Sequence, residues 1–384
     1  MFYLSSKMTG SLTFFKVTSC KFIRRFTPPT LIILAIALLS ACGGERNVGE
    51  FVPPVYPGPP EKPRYIYERT FRSSFDVKEV TGMDRFRQAV TGQMGSARGL
   101  AKPYGIAVFQ GRVYVTDTVG RAVYMFDVPG RDFKTIGQEG AGAITKPIGI
   151  AISKEGELYI ADHTSKRVMV YDKDGEFLRA IGGSEYLRKP SGVAISPDGN
   201  TLYVIDTGGI DDREHHRMTI WEAKTGVFIK AVGTRGTEPG NFNLALQATT
   251  TPDGTVYVVD GGNFRVQSFS ADGEFLRTIG TIGRQGGQFS RPKGIGADSD
   301  GNIYVVDTAF GNIQIFNPKG EFLLWVGNRG NSGRPGEFML PAGVAVDEDG
   351  RIYMVDQFYK KVDVFRPYEL AKEDGWLSSR REKK

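Results

Sequence analysis

Six aspartates recur along this 384-residue chain, each three residues after a tyrosine: Asp117, Asp162, Asp206, Asp260, Asp307 and Asp356 follow Tyr114, Tyr159, Tyr203, Tyr257, Tyr304 and Tyr353. Successive aspartates lie 45, 44, 54, 47 and 49 residues apart. Carboxylates placed this way admit two kinds of chemistry. With the cations that follow several of them, Arg121, Arg167, Arg217, Arg265 and Lys361, they could form a charged ring for a ligand. Alternatively each ends a strand and accepts amide hydrogens from the loop beyond it, while the tyrosine ring fills space between neighbouring units. A residue needed in every unit is more simply one needed to build the unit, so a structural role is expected for all six.

A second set of charges stands directly before the residue that opens each unit: Lys102, Lys146, Lys189 and Arg291, with Leu244 and Leu340 at the two remaining positions. Brought together, four cations would favour an anionic ligand or partner. Against this, long basic side chains commonly snorkel over apolar neighbours. The three histidines are His163, His215 and His216. In "DDREHHR", Asp211, Asp212, His215 and His216 set carboxylates beside imidazoles, the residue types that hold a divalent metal. Neighbours in one loop rarely converge on one ion unaided, so a solvated loop is expected; no cofactor is assigned, and a divalent metal stays open. No nucleophile with a partnered base is visible.

The elements that position these residues follow from the period. A repeat near 45 residues is one supersecondary unit that stacks on its copies, so most of the chain can form one body. Each copy holds four short segments, as in "KPIGIAI", "ELYIAD", "RVMVYD" and "FLRAIG". Strands of about five residues between glycine turns point to an all-β fold, and four strands repeated about an axis make a β-propeller. Glycines at 111, 156, 199, 254, 301 and 350 suit tight hairpins between first and second strands. The link between second and third strands varies in length, so tight turns share one face, variable loops share the other, and function is expected on the loop-rich face. The sixth copy lacks its fourth strand, which Tyr65 to Phe71, "YIYERTF", can supply; closure removes an exposed sheet edge. A short helix is expected over 83–90.

The chain's beginning reads differently. Lys21, Arg24 and Arg25 precede an apolar run from Leu31 to Leu39 that ends in small residues before Cys42. This order is that of a secretory signal, too short for a comfortable membrane span. "LSAC" resembles the lipobox of bacterial lipoproteins, which implies lipidation of Cys42 as the first mature residue. Residues 1–41 hold five of the 49 lysines and arginines and no acidic residue. The 44 that remain face 43 acidic residues, which gives no ground for a nucleic-acid partner. Cys20 leaves with the signal, so no disulfide or cysteine metal site remains. From Val52 to Pro63 six prolines make a semi-rigid spacer, and the 21 residues after Cys42 could hold the domain up to about 65 Å from a bilayer. The expected organisation is therefore a signal over 1–41, a lipidated cysteine and tether over 42–63, a six-bladed propeller over 64–367 and a tail over 368–384.

"KPIGIAISKEGELYIADHTSKRVMVYDKDGEFLRAIG" resembles an NHL repeat, and "GGQFSRPKGIGADSDGNIYVVD" and "GEFMLPAGVAVDEDGRIYMVD" repeat its opening. The resemblance covers roughly residues 65–366 and implies a six-bladed propeller. It leaves function open, since NHL propellers include sensors, scaffolds, RNA binders and one group of lyases. The fourth copy departs from the pattern, with Ala245 and Gln247 in place of proline and glycine. Enzymes of similar architecture, such as amidating lyases and lactonase-like propellers, hold channel metals on histidines or a Glu/Asn/Asp set with no counterpart in these first strands. The expectation is a lipid-anchored envelope propeller, at the outer membrane of a Gram-negative bacterium, acting without catalysis as a binding or scaffold module for another envelope protein or a surface polymer. Similar chains imply multihaem cytochrome or cell-surface assembly systems as a class of partner. The alternative is a metal-dependent hydrolase or lyase working in the channel.

Overall fold

The computed structural model describes residues 51–78, 98–209 and 211–378, with 82, 89 and 90 besides. The signal, Cys42 and most of the helix expected over 83–90 lie outside the described residues. The fold is all-β: six blades, each an antiparallel sheet whose four main strands run outward from a central axis. Blade one comprises Pro103–Phe109, Arg112–Asp117, Ala122–Asp127 and Asp132–Ile136; blade two comprises Pro147–Ile152, Leu158–Asp162, Arg167–Tyr171 and Phe177–Ile181. Blades three to five open with Pro190–Ile195, Ala245–Thr250 and Pro292–Ala297. Blade six takes Pro341–Val346, Ile352–Asp356 and Lys361–Pro367 from the end of the chain, and Tyr65–Phe71 from its beginning pairs antiparallel with Lys361–Pro367.

Burial follows radial position. A second strand such as Ile303–Asp307 is buried at all five residues, because blades press on both of its faces and both demand apolar side chains. A fourth strand such as Phe275–Ile279 alternates, exposing Leu276 and Thr278 to solvent on one face while Ile279 on the other is buried. The apolar clusters lie between blades: Tyr159, Val168 and Ile181 of blade two pack with Val193, Leu202 and Trp221 of blade three. Phe71, Tyr353 and Val362 of blade six pack likewise with Val113 and Phe126 of blade one, so the ring is closed by packing as well as by pairing.

Around the axis the first strands nearly touch. A Cβ on Gly105 would lie 2.5 Å from the Ile148 carbonyl oxygen, and one on Gly343 would lie 2.5 Å from that of Tyr104. Glycine two residues after the opening position is therefore a requirement of close approach. Blade four meets it differently: Gln247 is buried there and donates from Nε2 to the Ser191 carbonyl at 3.0 Å.

Two segments differ from the sequence expectation. The proline-rich stretch read as a spacer joins the propeller from Val55: Val55–Tyr56 pairs with Tyr65–Phe71 as a fifth strand, and the Tyr56 ring meets Phe365 edge-on at 5.6 Å. Aromatic burial holds it there, an effect that proline content does not reveal. The segment read as a tail is also docked. Leu377 is buried against blade one, the Trp376 amide donates to Asp349 at 2.6 Å, and Arg351 donates to the Asp374 carbonyl at 2.7 Å. Arg351 is wholly buried and also pairs with Glu68 at 2.8 Å, so one guanidinium joins the first strand of the propeller, its last blade and the segment beyond.

Candidate functional site at the channel mouth

Each repeated aspartate sits at the loop-rich end of its second strand and accepts hydrogens from the link that opens its blade, and all but Asp206 also accept from the loop that follows. Asp117 accepts from the amides of Ala101 and Lys102 at 2.7 and 2.9 Å, and from Val119 and Gly120 at 3.0 and 2.7 Å. Asp162 receives Thr145 and Lys146, Asp206 receives Arg188 and Lys189, and Asp307 receives Ser290 and Arg291. Asp356 binds Met339 and Leu340, and Asp260 binds Asn243 with the side chains of Asn263 and Arg265. The carboxylates thus fasten the link that opens each blade. Their tyrosines are buried, and three reach the adjacent blade: Tyr114 donates to the Lys173 carbonyl and Tyr203 to that of Ala271, at 2.6 and 2.8 Å, and the Tyr304 hydroxyl lies 3.2 Å from that of Tyr65. The aspartates do not face the axis and form no ligand ring.

The same bonds set the cations in register. The carbonyls of Lys102, Lys146, Lys189, Leu244, Arg291 and Leu340 each accept the amide that follows the blade's aspartate, at 2.9–3.1 Å. Six equivalent backbone positions therefore surround the mouth of the channel, and four of them carry cations whose side chains are exposed. Charge converges there. Lys293 is pushed down to about 8, first by burial and then by the charges of Arg291 and Lys102. His163 is lowered by burial, then by Lys146 and later by Lys189.

Sequence reasoning missed the inner part of the site. Between each opening residue and the glycine that follows, or Gln247 in blade four, stands one residue: Tyr104, Ile148, Ser191, Leu246, Lys293 and Ala342; the first four border one opening at the mouth. Lys293 Nζ lies 4.6 Å over the Tyr104 ring and donates to Gln357 Oε1 at 3.0 Å. Strand alternation could have found them, because the proline and glycine on either side point away. Below this collar an axial cavity of about 190 Å³ is lined by all six first strands, including Ile106, Ile150, Val193, Ala248, Ile295 and Val344. At the opposite mouth Asp298, Asp347 and Glu348 accompany Lys154, and burial pushes Asp347 up to about 6. The channel is cationic at its loop-rich mouth and largely acidic at the other.

The "DDREHHR" candidates do not assemble. His215 Nδ1 lies 2.8 Å from Asp212 Oδ1. His216 turns inward: the Leu244 amide donates to its Nδ1 at 3.3 Å, which leaves Nε2–H to donate to the Gly209 carbonyl at 3.0 Å. Both of its nitrogens are thus committed, and Asp211 is exposed. Among the described residues no three His, Cys, Asp or Glu side chains lie close enough to hold a metal ion.

Comparison with known proteins agrees with the fold. The profile of a family described as a 6-bladed β-propeller, DUF5128, matches residues 99–182 and 296–369. A human protein, the E3 ubiquitin-protein ligase TRIM32, is 43% identical over 47 residues, 12% of this chain. That match takes in 7% of the human protein's length. A crystal structure of a protein of unknown function from Bacteroides thetaiotaomicron shares 19% identity over 79% of this chain and 75% of its own, with a TM-score of 0.57. A streptogramin B lyase structure shares 14% identity over 70% of this chain and 94% of its own, with a TM-score of 0.51. At these identities the likeness is one of fold.

Proposed function

We propose that this protein is a lipid-anchored module of the bacterial cell envelope that acts by binding, not by catalysis. Its loop-rich channel mouth receives an anionic group of another envelope protein or of a surface polymer. The observation that carries this reading is the gathering of Lys102, Arg291 and Lys293 at one mouth, with Lys146 and Lys189 close enough to act together on His163. Cations held together with one of them partly desolvated are in an unfavourable state that an incoming anion relieves. The collar and cavity offer no nucleophile with a partnered base, so the side chains favour recognition over chemistry. The anchor rests on Cys42 and its preceding small residues, and the outer membrane of a Gram-negative host is the proposed location. Multihaem cytochromes and cell-surface assembly proteins are the proposed class of partner.

Site-specific photocrosslinking in intact envelopes tests the reading. A crosslinker at Thr118, on the loop-rich face, should capture a discrete partner, and one at Lys154, on the tight-turn face, should not. Capture from Lys154 alone would overturn the assignment of the binding face.

A further inference from the structure

The residues that make a blade occur in every blade, so positions where copies depart from the pattern are free to serve something else. In this chain the departures gather in one place. The link between second and third strands is ten residues in blade three, 207–216, and four in each of the other five blades. Blade four has Leu244 where four blades have a cation, Ala245 where the rest have proline, and Gln247 where the rest have glycine. Leu244 is held at φ +60°, and it alone among the residues preceding a first strand is so held. Such a backbone is unfavourable for a leucine and is kept where its surroundings dictate it.

These departures border a single cleft of about 550 Å³ that opens on the channel mouth and reaches Ile148 of blade two and Tyr104 of blade one. Its wall is built: His216, 5% exposed, ties the long link to the opening of blade four through Gly209 and Leu244. Tyr104, Ile148 and Leu246 supply apolar surface, while Lys189, His163 and Arg235 supply polar and cationic groups. Among the described residues no carboxylate lines it. The volume is that of a small-molecule site and too small for a folded partner. Cationic groups without acidic ones select an anion, and the apolar surface selects a ligand with a hydrophobic body.

We infer that the cleft between blades three and four binds a small organic anion with an aromatic or alkyl body, such as a monocarboxylate. Lys189 holds the carboxylate, and Leu246, Ile148 and Tyr104 cover the body. The cleft takes in Tyr104, Ile148, Ser191 and Leu246 of the collar together with His163 and Lys189, so the inference deepens the proposed function and rests on its anion-binding mouth. Partner capture from Thr118 that persists in a protein showing no saturable carboxylate binding would overturn the inference and leave that reading standing.

Isothermal titration of the full-length protein with 1-naphthoate tests the inference, with 1-naphthalenemethanol as the uncharged counterpart and octanoate and 4-phenylbutyrate as further probes. The expected result is saturable one-site binding of 1-naphthoate, weakened at least tenfold for the alcohol and at least tenfold by Lys189→Ala and by Leu246→Asp. Circular dichroism of each variant verifies the fold, and Leu246→Gln replaces Leu246→Asp if the latter does not fold. Absence of saturable heat with all three carboxylates would overturn the inference. So would binding that survives Lys189→Ala and Leu246→Asp but is lost on Lys102→Ala with Arg291→Ala, because the probe would then sit on the other side of the mouth, at blades one and five.

Discussion

At the scale of single residues, Lys293 carries the clearest electrostatic signature. In an unfolded chain its amine would hold a proton up to the ordinary lysine range near ~10.4, whereas in the folded protein burial, Arg291 and Lys102 push it down to about 8. Between those values the unfolded chain binds more protons, so stability rises with pH across the window. Below pH 8 the folded protein carries the whole penalty for the charged amine. Lys293→Met should therefore stabilise the propeller by about 1–3 kcal/mol at pH 7, with the gain shrinking towards zero near pH 10.5. Urea unfolding of both proteins at the two pH values reads this directly, and a difference that stays constant would contradict it. The outer cations were legible because each precedes a proline in register. Lys293 was not, because a lysine between proline and glycine looks like any surface residue until the strand's alternation is placed on an axis. The aspartates were legible in role, since their recurrence in every copy implied a part in building the blade, and the bonds to the opening link show how.

At the scale of elements, the strand Tyr65–Phe71 is fixed by more than its ladder with Lys361–Pro367. Arg351 reaches Glu68 within it, Asp349 beside itself and the Asp374 carbonyl beyond the last blade. Both members of the Arg351–Glu68 pair are fully buried. Breaking such a pair strands a charge, so Arg351→Met should cost roughly 3–5 kcal/mol. Replacing Glu68 with leucine in the same protein should recover most of the loss. Chemical denaturation of the single and double variants measures both, and an unchanged unfolding midpoint for Arg351→Met would show that closure does not depend on this contact. The missing fourth strand of blade six could be read from the repeat count. The docking of Tyr56 and of Trp376 and Leu377 could not, because a short aromatic or apolar segment outside the period carries no spacing that says where it packs.

For the whole molecule, the arrangement separates two faces. Tight turns occupy one, and variable links with the cationic mouth occupy the other. Anchoring would add a direction. If Cys42 carries lipid, Cys42→Ala should move the protein from the membrane fraction to the soluble exported fraction or leave its signal uncut. Normal cutting with unchanged membrane partition would contradict the anchor. The two-faced charge arrangement is the central claim, and reversing charge on one face at a time tests it most directly. Lys146→Glu with Lys189→Glu alters the mouth, whereas Glu155→Lys with Lys173→Glu alters the exposed tight turns. Crosslinked partner recovered from intact envelopes is the quantity to measure, at low salt and at ~0.5 M salt, where exposed charges are screened within a few ångströms. The predicted result is loss of the partner from the mouth variant, its retention by the tight-turn variant, and weaker capture by the native protein as salt rises. Equal capture by both variants, with no dependence on salt, would contradict the account.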